Sequence, residues 1–312
     1  MVDLTFLTKE QVFGDDRLEI FDKYDARSAI TDFGVLAGGK ASKKEYYREC
    51  TGYDDYCNAS YATSYYFLKT PTSGMVRIVG DHGEEAWCCT NSHIAGSRPA
   101  FDYSVISSLQ LNSRINVFGI KEIEYGEYPQ WVVDNEEAKF LEDAYQKNNI
   151  RTTGKKYKST ELVNPKLDYH TEYIYNGDKY IRYVATTQIN RGNMVSNGEI
   201  ILSHRVFWIA VKPIVWLVDE KANIALSKYV LFSGIPIDYV DNYDGDFRKT
   251  YIKKFMDKYI SKDMFSNESE LIEAVDIKLI DDKKNDIDSI FEEALLKMNE
   301  ISKDNPKTKI LK

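Results

Sequence analysis

Apolar residues along this chain fall in short blocks of two kinds, some at helical spacing and some as continuous or alternating runs. Thr8-Lys9-Glu10-Gln11 has the T-x-x-Q spacing in which a hydroxyl and an amide side chain each satisfy the other residue's backbone N–H. Val12, Leu18, Ile20 and Phe21 follow, so the pattern predicts one short helix to about Tyr24, its start weakened by Gly14. In residues 135–148, Ala138, Leu141, Ala144 and Tyr145 share one helical stripe. Residues 247–260 turn Ile252, Phe255, Met256 and Tyr259 inward in the same way. Near the end, Ile287, Ile290, Phe291, Leu295, Met298 and Ile301 recur at helical spacing behind a capping pattern at Asn267-Glu268-Ser269-Glu270.

Shorter runs predict strands. They are residues 75–79, then 86–89 beyond a turn at Asp81-His82-Gly83, and the pair 170–175 and 179–185. That last pair flanks Asn176-Gly177, a strong hairpin signal because both turn positions need positive φ. Residues 206–218 and 224–232 are apolar enough for buried strands, with Trp208, Pro213, Trp216 and Tyr128-Pro129-Gln130 expected inside. Residues 42–64 and 149–168 read as loops, and Thr70-Pro71 as a turn. Residues 104–116, rich in Ser and Asn, are the best boundary. The chain then divides into 1–112, 117–265 and a helical tail 266–312, with no repeat of fixed period.

Composition narrows the class. The 312 residues are 43% hydrophobic and 29% charged, enough for one large core or two modest ones. A net charge of −8 disfavours a surface that tracks phosphates, so no nucleic-acid partner is expected. The most apolar stretch, 206–218, is interrupted by Lys212 and Pro213 and is too short to span a bilayer, so no membrane partner is expected either. Residues 1–11 lack the basic and apolar regions of a signal peptide. The expected location is cytoplasmic as encoded, with a phage particle or surface display as the other settings.

Candidate chemistry is sparse. Cys50 and Cys57 have six residues between them and Cys88 and Cys89 are adjacent, which fits free thiols better than a zinc site. His170 and Glu172 alternate on one strand face and could form an acid–base pair, but a structural role is favoured. Asp25 and Asp32 are weighed as a dyad and read as solvated. Asp241-Asn242-Tyr243-Asp244-Gly245-Asp246 is oxygen-rich but lacks the EF-hand register, and reads as a turn capping the next helix through Asp246. No catalytic residue, metal ligand set or cofactor is assigned.

The outstanding cluster is aromatic. Tyr46, Tyr47, Tyr53, Tyr56, Tyr61, Tyr65 and Tyr66, seven of the 23 tyrosines, fall within 21 residues among Asp, Asn and Ser. Tyr supplies large amphipathic contact area at low entropic cost while short polar neighbours adapt their hydrogen bonds, which suits a recognition surface. The candidate ligand-binding set is Tyr47, Tyr53, Asp55, Tyr56, Asn58, Tyr61 and Tyr65, joined by Trp87, Asn91 and His93 from the CCTNSHIAGS tract. The competing reading is a loop whose rings lie half-buried on a β core.

YYFLK at 65–69 and GSRPAF at 96–101 resemble the WWLRS…GVRPAL end of an uncharacterised bacterial and phage family with a C-type-lectin-like, sulfatase-modifying-factor-like fold. YGEYPQ at 125–130 and FWIAVKPIVWLVDEKANIALSKYVLFS at 207–233 resemble the part that opens that domain, so the halves stand in permuted order over roughly residues 4–262. The resemblance implies an α+β fold: a C-type-lectin-like mixed β core with flanking helices, followed here by the C-terminal amphipathic helix. It implies that Arg98 is scaffold, anchoring a loop through backbone carbonyls. It also implies that loops 44–66 and 81–97 bind a protein or surface glycan ligand without catalysis. Codons for residues such as Tyr, Asp, Asn, Ser, Cys and His interconvert at adenines, and these tracts resemble those of retroelement-diversified variable proteins. The alternatives are a phage-encoded inhibitor of a host factor and a sulfatase-modifying-factor-like enzyme. Calcium lectins of this fold use Glu-Pro-Asn and Trp-Asn-Asp, and neither motif occurs here. The tail helix docks on its own domain or makes a homo-oligomer contact.

Overall fold

The computed structural model describes residues 2–24, 26–39, 64–92, 95–160, 167–185, 194–239 and 243–266, and the backbone alone of residues 46–47 and 61–62. The helical pattern at 287–301 and its capping motif lie outside the described residues. The fold is α+β, with short helices set around antiparallel sheets.

The capping box forms as read. Thr8 Oγ1 accepts from Gln11 N at 3.2 Å, and Gln11 Oε1 accepts from Thr8 N at 2.8 Å. The helix it starts is shorter than the pattern predicts. α1 (Lys9–Phe13) stops at an extended Gly14, and a separate α2 (Glu19–Lys23) follows. The second start has no local cap; Glu19 N donates instead to Asp219 Oδ2 at 2.7 Å, from 200 residues away. α3 (Asp32–Leu36) is capped by Thr31.

Within residues 42–64, read as a loop, two short strands pair: β1 (Tyr46–Tyr47) and β2 (Tyr61–Ala62). Next comes a three-stranded antiparallel sheet of β3 (Tyr66–Thr72), β4 (Met75–Val79) and β5 (Glu85–Cys88). Thr70-Pro71 does not turn the chain. β3 runs through it, and the reversal falls at Ser73-Gly74, with φ 48° and 78°. Pro71 sits at a register shift in the ladder, where its missing N–H is tolerated.

An eight-stranded sheet holds the remainder: β6 (Ala100–Asp102), β7 (Ser113–Ile115), β8 (Lys121–Val132), β9 (Arg151–Thr160), β10 (Leu167–Tyr175), β11 (Asp178–Val184), β12 (Val206–Asp219) and β13 (Ile224–Ser227). β12 is its axis. It pairs with β8 along most of its length, with β11 through Val206–Ala210, and with β13 through Trp216–Asp219. Asn176 and Gly177 turn the β10–β11 hairpin at φ 52° and 92°. β13 is shorter than the predicted run, though Tyr229, Val230, Leu231 and Phe232 beyond it are buried.

β9 corrects the reading of 149–168 as a loop. Its sequence, RTTGKKYKST, is polar because β9 is an edge strand whose first half faces solvent, and lysines on such an edge discourage pairing with another chain. Pro213 is a second correction, being exposed at an irregularity in the β12–β8 ladder. Gln130 Nε2 satisfies the Lys212 and Pro213 carbonyls there, each at 2.9 Å. Trp208, Trp216, Tyr128, Pro129 and Gln130 are buried as expected.

α4 (Asn135–Gln146), capped by Asp134, lays Leu141 and Ala144 over a small core with Tyr180 and Trp208. Glu142 receives Arg182 twice at 2.9 Å and Trp208 Nε1 at 3.0 Å, and the Arg182 bonds foremost pull its carboxyl down to about 2. The last described helix begins later and ends later than predicted. Thr250, not Asp246, caps α5 (Tyr251–Phe255), which runs through a π-helical turn (Met256–Ile260) into α6 (Ser261–Phe265). The main core joins side chains from before and after residues 104–116, among them Phe6, Phe67, Trp216, Leu226 and Phe265. Among the described residues no helix is long and apolar enough to cross a membrane.

Arg98 is 1% exposed. Its Nε donates to Ser227 O at 2.9 Å, Nη1 to Tyr66 Oη at 3.3 Å and Nη2 to Lys228 O at 3.4 Å. Replacing Arg98 by Lys keeps the charge but removes the fork that reaches these acceptors. Loss of about 3 kcal/mol in urea unfolding is expected for Arg98→Lys. Trp216, which donates to Tyr125 O at 2.8 Å and meets Phe101 edge-on at 4.7 Å, should lose about 3–5 kcal/mol as Trp216→Ala. An unchanged denaturation midpoint in either variant would contradict the packing described.

Candidate recognition surface

β5 is the outer strand of the three-stranded sheet, and successive side chains on a strand point to opposite faces. Ala86 and Cys88 pack against the core, whereas Trp87 stands out at 58% exposure. Beneath it, Val76, Ile78 and Val79 of β4 are buried, so the indole is carried on a fixed platform. Arg77 lies across the ladder from Trp87, and its Nη1 meets Glu85 Oε1 at 2.9 Å; Lys9 approaches the same oxygen at 3.6 Å.

The flanks are tied down. Gly80 N donates to Glu84 O at 2.8 Å in the turn before β5, where His82 N also donates to Glu84 Oε2 at 3.0 Å. After β5, Ser92 N donates to Cys89 O at 3.1 Å, and the buried Thr90 receives Asp238 N at 3.1 Å on its carbonyl. Asn91 is exposed at the tip of that turn. Tyr65 is half-buried just before β3, with its carbonyl accepting from Gly96 N at 2.7 Å.

The candidate set is thus divided. Trp87 and Asn91 face solvent on and beside β5, and Tyr65 lies at the start of the opposite outer strand. Tyr47 and Tyr61 are directly paired across the β1–β2 ribbon. Tyr53, Asp55, Tyr56, Asn58 and His93 lie outside the described residues. Tyr66 belongs to the same aromatic run yet is buried, its hydroxyl donating to Ala26 O at 2.7 Å while accepting from Arg98. Strand alternation at 65–66 separates a half-buried ring from a fully buried one, which the bare tyrosine count does not show.

The acid–base candidates sit elsewhere, inside the fold. His170 and Glu172 do share an inward face, but each has its own partner. His170 Nε2 meets Ser159 Oγ at 2.7 Å and the ring stacks on Tyr183 at 4.6 Å. Glu172 accepts from Tyr157 Oη and Thr153 Oγ1, both at 2.8 Å. Burial holds the His170 imidazole down to about 4, with the Asp168 charge opposing. Asp25 and Asp241-Asn242 lie outside the described residues, as do Cys50 and Cys57. Asp32 is buried rather than solvated, accepting from Val132 N at 2.8 Å and from Ser196 N at 2.7 Å. Asp246 binds Arg248 and Lys249 at 3.1 Å each and makes no side-chain cap, against the sequence reading. Cys88 is half-buried and its thiol is pushed up to about 12, chiefly by burial, while Cys89 is exposed. Among the described residues no three His, Cys, Asp or Glu side chains gather as a metal site.

Comparison with protein-family models, with curated proteins and with solved structures finds no match.

The buried imidazole has a pH signature. Below its ordinary value near 6.5, the unfolded chain gains a proton that the folded chain refuses until about 4. Its contribution is therefore whole above that window and lost as pH falls through it. Urea midpoints of wild type and His170→Gln, measured at pH 7.5 and pH 4.5, should converge at the lower pH. A gap that stays constant or widens would show that His170 is charged in the fold.

Proposed function

We propose that the protein is a non-catalytic recognition protein on a C-type-lectin-like scaffold, and that its binding face is centred on Trp87. The observation that carries this reading is the placing of Trp87. A large aromatic side chain stands mostly in water on a strand whose alternate residues are packed into the core. Aromatic anchors with an apolar body and one polar atom dominate interface energies, and presenting them on a rigid element lowers the entropic cost of binding. The fixed turn carrying Asn91 and the Arg77–Glu85 pair beside the indole supply a polar rim. The aromatic and short polar residues of 46–62 extend the same chemistry, and retroelement diversification of those tracts is part of the proposal. The partner class is a protein or a surface glycan.

The competing enzyme reading would draw on thiol chemistry. Burial makes the Cys88 thiol a poor nucleophile, so that reading would rest on the exposed Cys89.

The expected behaviour of Trp87→Ala is an unchanged melting temperature with lost binding. The probes are a printed glycan array and a random-peptide display library, with wild type and variant compared at equal concentration. Hits of wild type that the variant keeps with equal affinity would move the binding face away from β5. A large drop in melting temperature would show that the indole carries the fold. Diversification is tested by the coding DNA, which should contain a nearby imperfect repeat of codons 44–97 differing at adenines.

A further inference from the structure

The two outer strands of the small sheet differ in what covers them. β3 is closed along its outer edge, where Phe67 N donates to Gly96 O at 3.0 Å and Lys69 N to Leu7 O at 2.9 Å. β5 is open. Gly80 N donates to Glu84 O at 2.8 Å, and hydrogen-bonded pairs alternate along an antiparallel ladder. Counting from there, the pairs Ile78↔Ala86 and Val76↔Cys88 are the bonded ones, so Ala86 and Cys88 turn their N–H and C=O groups to β4. Glu85 and Trp87, opposite Val79 and Arg77, turn theirs outward. Both residues are exposed. Among the described residues β5 has no second neighbouring strand, and no turn or loop backbone bonds to Glu85 or Trp87. The open stretch ends at Cys89, whose carbonyl accepts from Ser92 N in the turn that follows.

A bare strand edge is a template for another chain, and proteins guard such edges with lysines, prolines and bulges. β9, the long edge of the large sheet, is guarded in this way. It carries Lys155, Lys156 and Lys158, and its ladder shifts register beside Gly154, whose φ is 85°. β5, with the sequence EAWC, has no Lys, no Pro and a regular ladder, and it sets Trp87 on the open edge.

We propose that β5 takes up an extended peptide as a fourth strand, which rests on the recognition reading above and names its partner as a peptide main chain. Outward N–H and C=O groups repeating every second residue match the groups of another extended backbone, and alternate side chains then supply specificity. A glycan has no such repeat. A second copy of this chain fits less well. Residues 85–87 offer little area against the roughly 800 Å² per partner of a stable interface. A net charge of −8 on each chain also opposes self-association. The peptide residue directly across from Trp87 shares its face of the sheet, so an aliphatic or aromatic side chain there packs on the indole.

The probe is a capped, fluorescein-labelled hexapeptide of alternating Val and Lys, read by fluorescence anisotropy and by amide hydrogen exchange in NMR. In the free protein the Glu85 and Trp87 amides should exchange freely while Ala86 and Cys88 are protected, and saturating peptide should protect all of them. N-methylation of the peptide at its valines should abolish binding, and at its lysines should leave it. The residues whose side chains meet Trp87 are those that point their N–H groups at β5. Glu85→Pro removes one outward N–H without touching the ladder, and should weaken binding about tenfold against Glu85→Thr, which loses the same carboxylate. Two N-methylated peptides that behave alike, or no binding by the unmethylated one, overturn the proposal. So does a dimer of the free protein that Glu85→Pro dissolves, since the edge then belongs to a second copy. Should Glu85→Pro fail to fold, the peptide arms decide. Glycan-array hits lost in Trp87→Ala, with no peptide protection at Glu85, would strike strand addition alone and leave the recognition reading standing.

Discussion

A buried guanidinium must receive its acceptors from the surrounding chain, and at Arg98 the three acceptors come from two places. Tyr66 begins the small sheet, and Ser227 and Lys228 follow one another at the end of β13. The polar path continues outward in both directions. Tyr66 passes its proton bond to Ala26 O, and Ser28 Oγ also reaches Lys228 O at 3.1 Å. Lys228 Nζ reaches Glu122 Oε1 at 3.1 Å, and Glu122 also takes Arg114. Removing one member strands the next in a medium with little water, so the path holds only when every segment is in place. It is what couples the Tyr-rich half of the chain to the large sheet.

On that frame β12 sets the layout. Its first half carries the β9–β11 wing and its second half the β13–β6 wing, with β8 along the opposite edge. Several ionisable side chains lie inside this frame. His170, Glu172, Asp32 and Lys228 all have hydrogen-bond partners within the fold. The small sheet β3–β5 lies off the axis, and there Trp87 and Asn91 are exposed beside the Arg77–Glu85 pair.

Local signals were legible wherever neighbours in sequence do the work. The Thr8–Gln11 box, the Asn176-Gly177 turn and the α4 stripe all depend on residues a few positions apart, and all form as read. Arg98-Pro99 was legible as scaffold from its motif, with the two carbonyl acceptors expected. Trp87 was legible as a candidate but not as an exposed one, because exposure depends on which face of β5 meets the core. Tyr65 and Tyr66 look equivalent in sequence, yet one is half-buried and the other fully buried, for the same reason.

Sequence by itself determined the Thr8–Gln11 helix start, the Asn176-Gly177 hairpin, the apolar strands at the axis and the aromatic character of the outer tracts. Each follows from side-chain type and spacing within one or two turns of chain. The tertiary structure alone decided the rest. β9 is polar because its strand identity comes from a partner, β10, and its edge position asks for lysines rather than apolar residues. α2 starts where Asp219 can cap it. Pro71 and Pro213 sit at ladder irregularities that no local rule announces. Asp32 is buried because Val132 and Ser196, 100 and 164 residues away, bring it their N–H groups. A buried carboxylate and an exposed one are the same letter, and only the groups that converge on it settle which it becomes.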